Sequence, residues 1–69
     1  MHNRLKEYRE ENGWSQQKLA HELGVSRQTI ISLEKARFDP SLPLAFRLAA
    51  VFQCQIEDLF VPDSNNAPQ

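Results

Sequence analysis

Apolar positions recur every three to four residues along most of the chain, the spacing of short helices that each bury one face. Leu5 and Tyr8, with Glu11 or Asn12, mark a first helix from about Asn3 to Asn12, ended by Gly13. Ser15 suits the N-cap of a second helix with Leu19, Ala20 and Leu23 inward. Gly24 stands where a helix end takes a residue of positive φ. Ser26 caps a third helix carrying Ile30 and Leu33, and Phe38-Asp39-Pro40 breaks the pattern, because a residue before proline avoids the helical region. Ser41 caps a fourth helix, with Pro43 in its first turn and Leu44, Leu48, Val51 and Phe52 on one face. Ile56, Leu59 and Phe60 form the apolar stripe of a short fifth helix that stops near Pro62. No segment alternates as a strand would, and nothing repeats. The pattern predicts an all-α bundle of five short helices over residues 1–62 and a disordered tail, Asp63–Gln69.

Composition narrows the function. In 69 residues the core is thin, and domains of this size usually need a disulfide, a metal or a partner subunit. One cysteine (Cys54) closes no internal disulfide, and His2 and His21 are not spaced as zinc ligands. Self-association is the remaining route, with Ile56, Leu59 and Phe60 the expected dimer interface. No apolar run approaches the roughly 20 residues of a membrane span, and Met1-His2-Asn3-Arg4 does not open as a signal peptide, so a cytoplasmic protein is expected. Gly13 and Gly24 make no phosphate loop, and His21-Glu22 lacks the second histidine of a zinc protease helix. No enzyme, cofactor or metal is expected. The net charge of −1 conceals an asymmetry: residues 1–38 hold seven basic and five acidic side chains, residues 39–69 one basic and four acidic. A nucleic-acid surface needs local positive charge, which only the first part of the chain supplies.

Residues 16–35 are the most informative. Ala20 allows a close helix crossing, Gly24 a sharp turn, and Val25 plugs it before Ile30 and Leu33 pack the next helix back. This is the spacing of a helix-turn-helix. QQKLAHELGVSRQTIISLEK resembles the phage repressor and Cro-like (xenobiotic-response-element type) family of helix-turn-helix transcription regulators. The likeness continues through NRLKEYREENGWSQ before it and RFDPSLPLAFRLAAVFQCQIEDLF after it, about residues 3–60 in all. The chain departs from the family pattern at Lys35-Ala36, where relatives often have Asn-Gly, at Gln53, often glycine, and at Ile31, commonly polar.

With Arg27 at zero on a helical wheel, Ile30 and Leu33 point to about 270°, and the opposite side carries Gln28, Ile31, Ser32 and Lys35 with Arg27 on its flank. The resemblance implies that Arg27, Gln28 and Ser32 read base edges. Arginine can pair bidentately with guanine and glutamine with adenine. Ile31 has two readings, an ordinary exposed apolar residue or a contact to a thymine methyl. Gln16 and Gln17, at a helix N-terminus suited to phosphate, join Ser26, Lys35 and Arg37 as expected backbone contacts. The resemblance also implies an ion pair of Arg9 with Glu34 and dimerisation through the C-terminal region. Tyr8 and Trp14 read as core residues, His21 as exposed, and Cys54 as a small buried hydrophobe. Two functions fit: a repressor binding a palindromic operator on double-stranded DNA as a homodimer, or a protein-interaction module, such as an antitoxin, that keeps the fold for autoregulation.

Overall fold

Serine hydroxyls start three of the helices in the computed structural model, which describes residues 2–61. Ser15 accepts from the Lys18 N–H, Ser26 from Thr29 and Ser41 from Leu44, opening α2 (Gln16–Leu23), α3 (Arg27–Glu34) and α4 (Leu42–Phe52). Before them lies α1 (Leu5–Glu11) and after them α5 (Ile56–Leu59). The five-helix architecture is the expected one. The tail, residues 63–69, and the expected stop at Pro62 lie outside the described residues.

Four of these helices end alike. Trp14, Val25, Arg37 and Cys54 each donate their backbone N–H to a carbonyl five residues back, and the residue before each donates three residues back. This closing pattern puts the residue after the last helical turn in the left-handed region. Glycine fills it at Gly13 and Gly24, but Ala36 (φ 56°) and Gln53 (φ 53°) fill it at the ends of α3 and α4. A Cβ there costs about 1–2 kcal/mol, and glycine's looser unfolded state returns about 0.4–1 kcal/mol. Ala36→Gly should therefore raise stability by about 0.5–1 kcal/mol and the melting temperature by a few degrees. A lower melting temperature for Ala36→Gly would refute this.

Two differences from the expected pattern concern the chain ends. His2–Asn3 (β1) and Phe60–Val61 (β2) form a small antiparallel pair, His2 opposite Val61 and Asn3 opposite Phe60. The first helix accordingly starts at Leu5 rather than Asn3. The Asn3 carboxamide oxygen accepts from the Leu5 N–H, and the Arg4 N–H donates to the Leu59 carbonyl. Strands of two residues are too short to show alternation, so the pairing leaves no trace in the sequence pattern.

The core is made by Leu5, Leu19, Leu23, Ile30, Leu33, Leu48 and Leu59, all essentially inaccessible. Tyr8 and Trp14 pack on Phe52 at its edge, with ring centroids 5.7 and 5.9 Å away, at the spacing favoured by tilted aromatic pairs. Cys54 is half-buried rather than buried, its thiol pKa raised by desolvation and then by Asp58. The stripe Ile56, Leu59 and Phe60 does not form one outward face. Leu59 (0% exposed) and Phe60 (7%) are covered by the chain's own core, because Phe60 has turned from helix into β2. Ile56 stays half-buried and, with the accessible edge of Phe60, lines a shallow groove with Pro40, Leu42 and Ala45, and the exposed large apolar side chains are Phe38, Leu42 and Phe46.

Candidate nucleic-acid interface

α3 is held from behind by more than its two apolar anchors. Ile30 and Leu33 are buried. Arg9, itself a buried residue of α1, donates from Nε to Glu34 Oε2 at 2.6 Å and from Nη2 to Oε1 at 3.3 Å. Its remaining terminal nitrogen, Nη1, donates to the Trp14 carbonyl at 2.9 Å. Gln16 Nε2 adds a bond of 3.2 Å to Glu34 Oε1, and Asn3 Nδ2 donates to the Leu33 carbonyl at 2.8 Å. Charge-assisted, two-pronged bonds of this kind fix orientation as well as distance. Through them, the N-terminal segment, α1 and α2 all locate the C-terminal half of α3.

The outward side of α3 divides in two. Arg27, Ile31, Glu34 and Lys35 follow one another at i, i+4, i+7 and i+8 and line an open concavity of about 660 Å3, closed by Lys6 and Arg9 of α1 and by Ser15, Gln16 and Gln17 at the start of α2. Gln28 and Ser32 lie further round the helix, on its open ridge, where Gln28 Nε2 donates to Ser32 Oγ at 3.4 Å. The five side chains opposite the core are thus brought onto one helix face but into two environments. Ile31 is half-buried and stands apart from the core around Ile30 and Leu33.

The residues assigned to phosphate are also sorted. Gln16 and Gln17 flank the concavity at the α2 N-terminus, and Lys35 sits on its rim. Ser26 is engaged as the α3 N-cap, its hydroxyl also bonded to Thr29 Oγ1 at 2.9 Å, so it is available only at the helix entrance. Arg37 is exposed beyond the end of α3, outside the concavity. His21 is exposed on α2. Lys6 is a basic residue that sequence reasoning passed over. Nothing in its neighbourhood distinguishes it from an ordinary surface lysine, and only the packing of α1 against α3 brings it to this rim.

Among the described residues no cluster of three His, Cys, Asp or Glu side chains is placed to hold a metal, and no helix is long and apolar enough to cross a membrane. Tyr8 and Cys54, whose pKa values burial raises, pack against the core rather than lining the concavity.

The second helix of a tight helix-turn-helix, its outer side turned to solvent and its C-terminal half tied to α1 and α2, defines the fold of a DNA-binding module. A family model described as helix-turn-helix matches residues 5–59, and the chain belongs to this Cro/repressor-type family of DNA-binding transcriptional regulators. It is 54% identical over 61 residues to an uncharacterised HTH-type transcriptional regulator of Methanocaldococcus jannaschii, covering 88% of this chain and 92% of the relative. An uncharacterised HTH-type regulator of Bacillus subtilis strain 168 is 41% identical over 66 residues, 96% of this chain and all of the relative. Among solved structures, a hypothetical transcription factor from Neisseria superposes with a TM-score of 0.76 at 26% identity, over 88% of this chain and 68% of that one. A chain of the SinR protein/SinI protein complex superposes with a TM-score of 0.76 at 27% identity, over 94% of this chain and 64% of that one.

Proposed function

We propose that this regulator is a cytoplasmic repressor that binds a palindromic operator as a homodimer, with α3 of each copy in the major groove. The observation that carries the reading is the ridge of α3. Exposed Gln28 and half-buried Ser32, bonded to each other, lie on its open side and exposed Arg27 at its entrance, while four hydrogen bonds to Leu33 and Glu34 and two buried side chains hold the helix behind them. A face so rigidly presented suits base readout, in which each good bidentate pair contributes about 1–3 kcal/mol of discrimination. Gln16, Gln17, Ser26, Lys35 and Arg37 serve the backbone around it. The surface available to a second copy is Ile56 and the edge of Phe60 with the exposed Phe38, Leu42 and Phe46, since Leu59 is used internally. Two copies related by a two-fold axis would present their α3 helices about 34 Å apart, one turn of DNA.

Selection of bound duplexes from a random pool tests this directly. The expected result is a palindrome whose half-sites are centred one helical turn apart. A single unrepeated site, or no enrichment, would exclude the dimeric operator reading. Within that site Ile31 should face a thymine, because a stiff β-branched side chain gains from a methyl at little rotamer cost. Replacing that thymine by uracil should lower affinity several-fold at one symmetric pair of positions, about 0.8 kcal/mol for a methyl-sized surface, and Ile31→Ala should abolish the effect. Uniform tolerance of uracil would leave Ile31 without a base contact.

A second reading is favoured by one specific observation. The superposed SinR protein is in complex with another protein, SinI, and here Leu42 and Phe46, 65% and 58% exposed, offer apolar surface to a partner as well as to a second copy. A chain that co-purifies with an unlike protein and binds no duplex alone would favour this interaction-module reading.

A further inference from the structure

We propose that Lys6, on α1, is a DNA-backbone ligand: it contacts a phosphate of its own beside the one held by Lys35, extending the footprint of α3 along the same strand. The proposal rests on the operator-binding reading above. It begins with the register of α1 against α3. With Leu5 pointing to the core at zero, Arg9 lies at about 40° and Lys6 at about 100°, whereas Tyr8 lies at about 300°, on the other side of Leu5. Tyr8 accordingly packs on Phe52, and Lys6 is turned toward the concavity.

Two long-range contacts then set which part of α3 it meets. Asn3, three residues before Lys6, bonds to the Leu33 carbonyl, and Arg9, three residues after it, pairs with Glu34. Lys6 is bracketed by these ties and Lys35 directly follows them, so both lysines reach the same rim of the concavity. Four cationic side chains and one carboxylate line it, three net positive charges in a chain whose net charge is −1. The carboxylate is not free to answer the lysines, because Glu34 is already bound two-pronged by Arg9. Among the described residues neither Lys6 nor Lys35 takes part in an ion pair, and both are exposed. Like charges on one rim, with the positive end of α2 across from them at Gln16 and Gln17, repel one another and gain from successive phosphates of a polyanion, one beside each lysine. The concavity is open to solvent along α3 and lined by both lysines, so a strand laid along the helix can pass over them.

The test is the salt dependence of operator binding by the full chain, compared for the parent protein, Lys6→Gln and Lys6→Arg. Each phosphate contact adds about 0.9 to the slope of log affinity against log salt. Lys6→Gln should lower the slope by about that amount, so that over a fourfold rise in salt it loses about 3.5-fold less affinity than the parent. Lys6→Arg should keep the parent slope. Neutral methylphosphonate substitution, one position at a time, should identify one phosphate per half-site whose loss weakens the parent protein but not Lys6→Gln. An unchanged slope for Lys6→Gln, with the parent still bound to its operator, overturns the assignment of Lys6 and leaves the operator reading standing. A parent protein that selects no duplex overturns both. A free phosphate is the other carrier of this chemistry. A salt slope that falls with Lys6→Gln supports the DNA backbone as the ligand, and inorganic phosphate bound by the DNA-free parent but not by Lys6→Gln, with the operator slope unchanged, overturns it in favour of the free ion.

Discussion

Arg9→Ala should leave the protein largely unfolded at 37 °C, an effect well beyond that of removing a surface charge. The Arg9 and Glu34 side chains are only 10% and 6% exposed, so this is a buried pair. Truncating one partner of such a pair costs about 3–5 kcal/mol, because the other charge remains in the interior without its counter-ion. Here the loss also frees the Trp14 carbonyl and leaves Glu34 with the Gln16 carboxamide as its one remaining side-chain partner. A domain of this length has roughly 0.05–0.15 kcal/mol of stability per residue, so the expected loss is comparable to the whole. Thermal unfolding followed by circular dichroism should show the midpoint lowered by well over 10 °C. The exposed Lys18–Glu22 pair, at 3.0 Å on one face of α2, is the internal control, since pairs of that kind contribute about 0–1 kcal/mol. Lys18→Ala should shift the midpoint by no more than a few degrees. If Arg9→Ala melts with the parent protein, the pair does not hold α1 to α3. The double variant Arg9→Met, Glu34→Leu should recover much of the loss, because an apolar pair of similar volume removes the stranded charge.

Gln28→Ala should fold normally and still bind DNA, yet select a degraded consensus. Gln28 is exposed, so its removal opens no cavity, and its bond to Ser32 at 3.4 Å is too long to carry much stability. The expected loss is about 1–3 kcal/mol at one base pair of each half-site, roughly 5- to 150-fold in preference, with binding to unrelated duplexes unchanged. Arg27→Ala should behave likewise at a neighbouring position. Lys35→Ala and Arg37→Ala should do the reverse, weakening all duplexes together and flattening the salt dependence. Repeating the random-pool selection with each variant checks the separation. Undiminished stringency in Gln28→Ala would remove it from the readout.

Much of this architecture is legible without coordinates because it is local. A serine hydroxyl three residues before a free N–H, a glycine after the last apolar position and a 3.6-residue rhythm are properties of a few neighbouring residues, and Ser15, Ser26, Ser41, Gly13 and Gly24 all occupy their expected places. The division of α3 into an inner side with Ile30 and Leu33 and an outer one with Arg27, Gln28, Ile31, Ser32 and Lys35 follows from the same rhythm. The Arg9–Glu34 pair spans 25 residues, and family resemblance rather than periodicity suggested it.

What stayed hidden depends on contacts between distant segments. Phe60 continues the apolar stripe of α5 as far as spacing can tell, but pairing with Asn3 turns it into a strand and the core takes up its ring. The expected dimer stripe is reduced to Ile56 and an edge of Phe60 for that reason, and apolar side chains from the end of α3 to α4 become the exposed ones. Ala36 and Gln53 carry no glycine signal, yet the packing of the helices that follow requires the same left-handed closure that Gly13 and Gly24 make at little cost. Lys6 is one lysine among several until α1 is laid against α3. The helices, their ends and the side of α3 that faces outward can be read along the chain, since each is set by energies acting over one or two turns. Which charges share a concavity and which apolar residues remain for a partner cannot be read that way, because both depend on how helices far apart in sequence settle against one another.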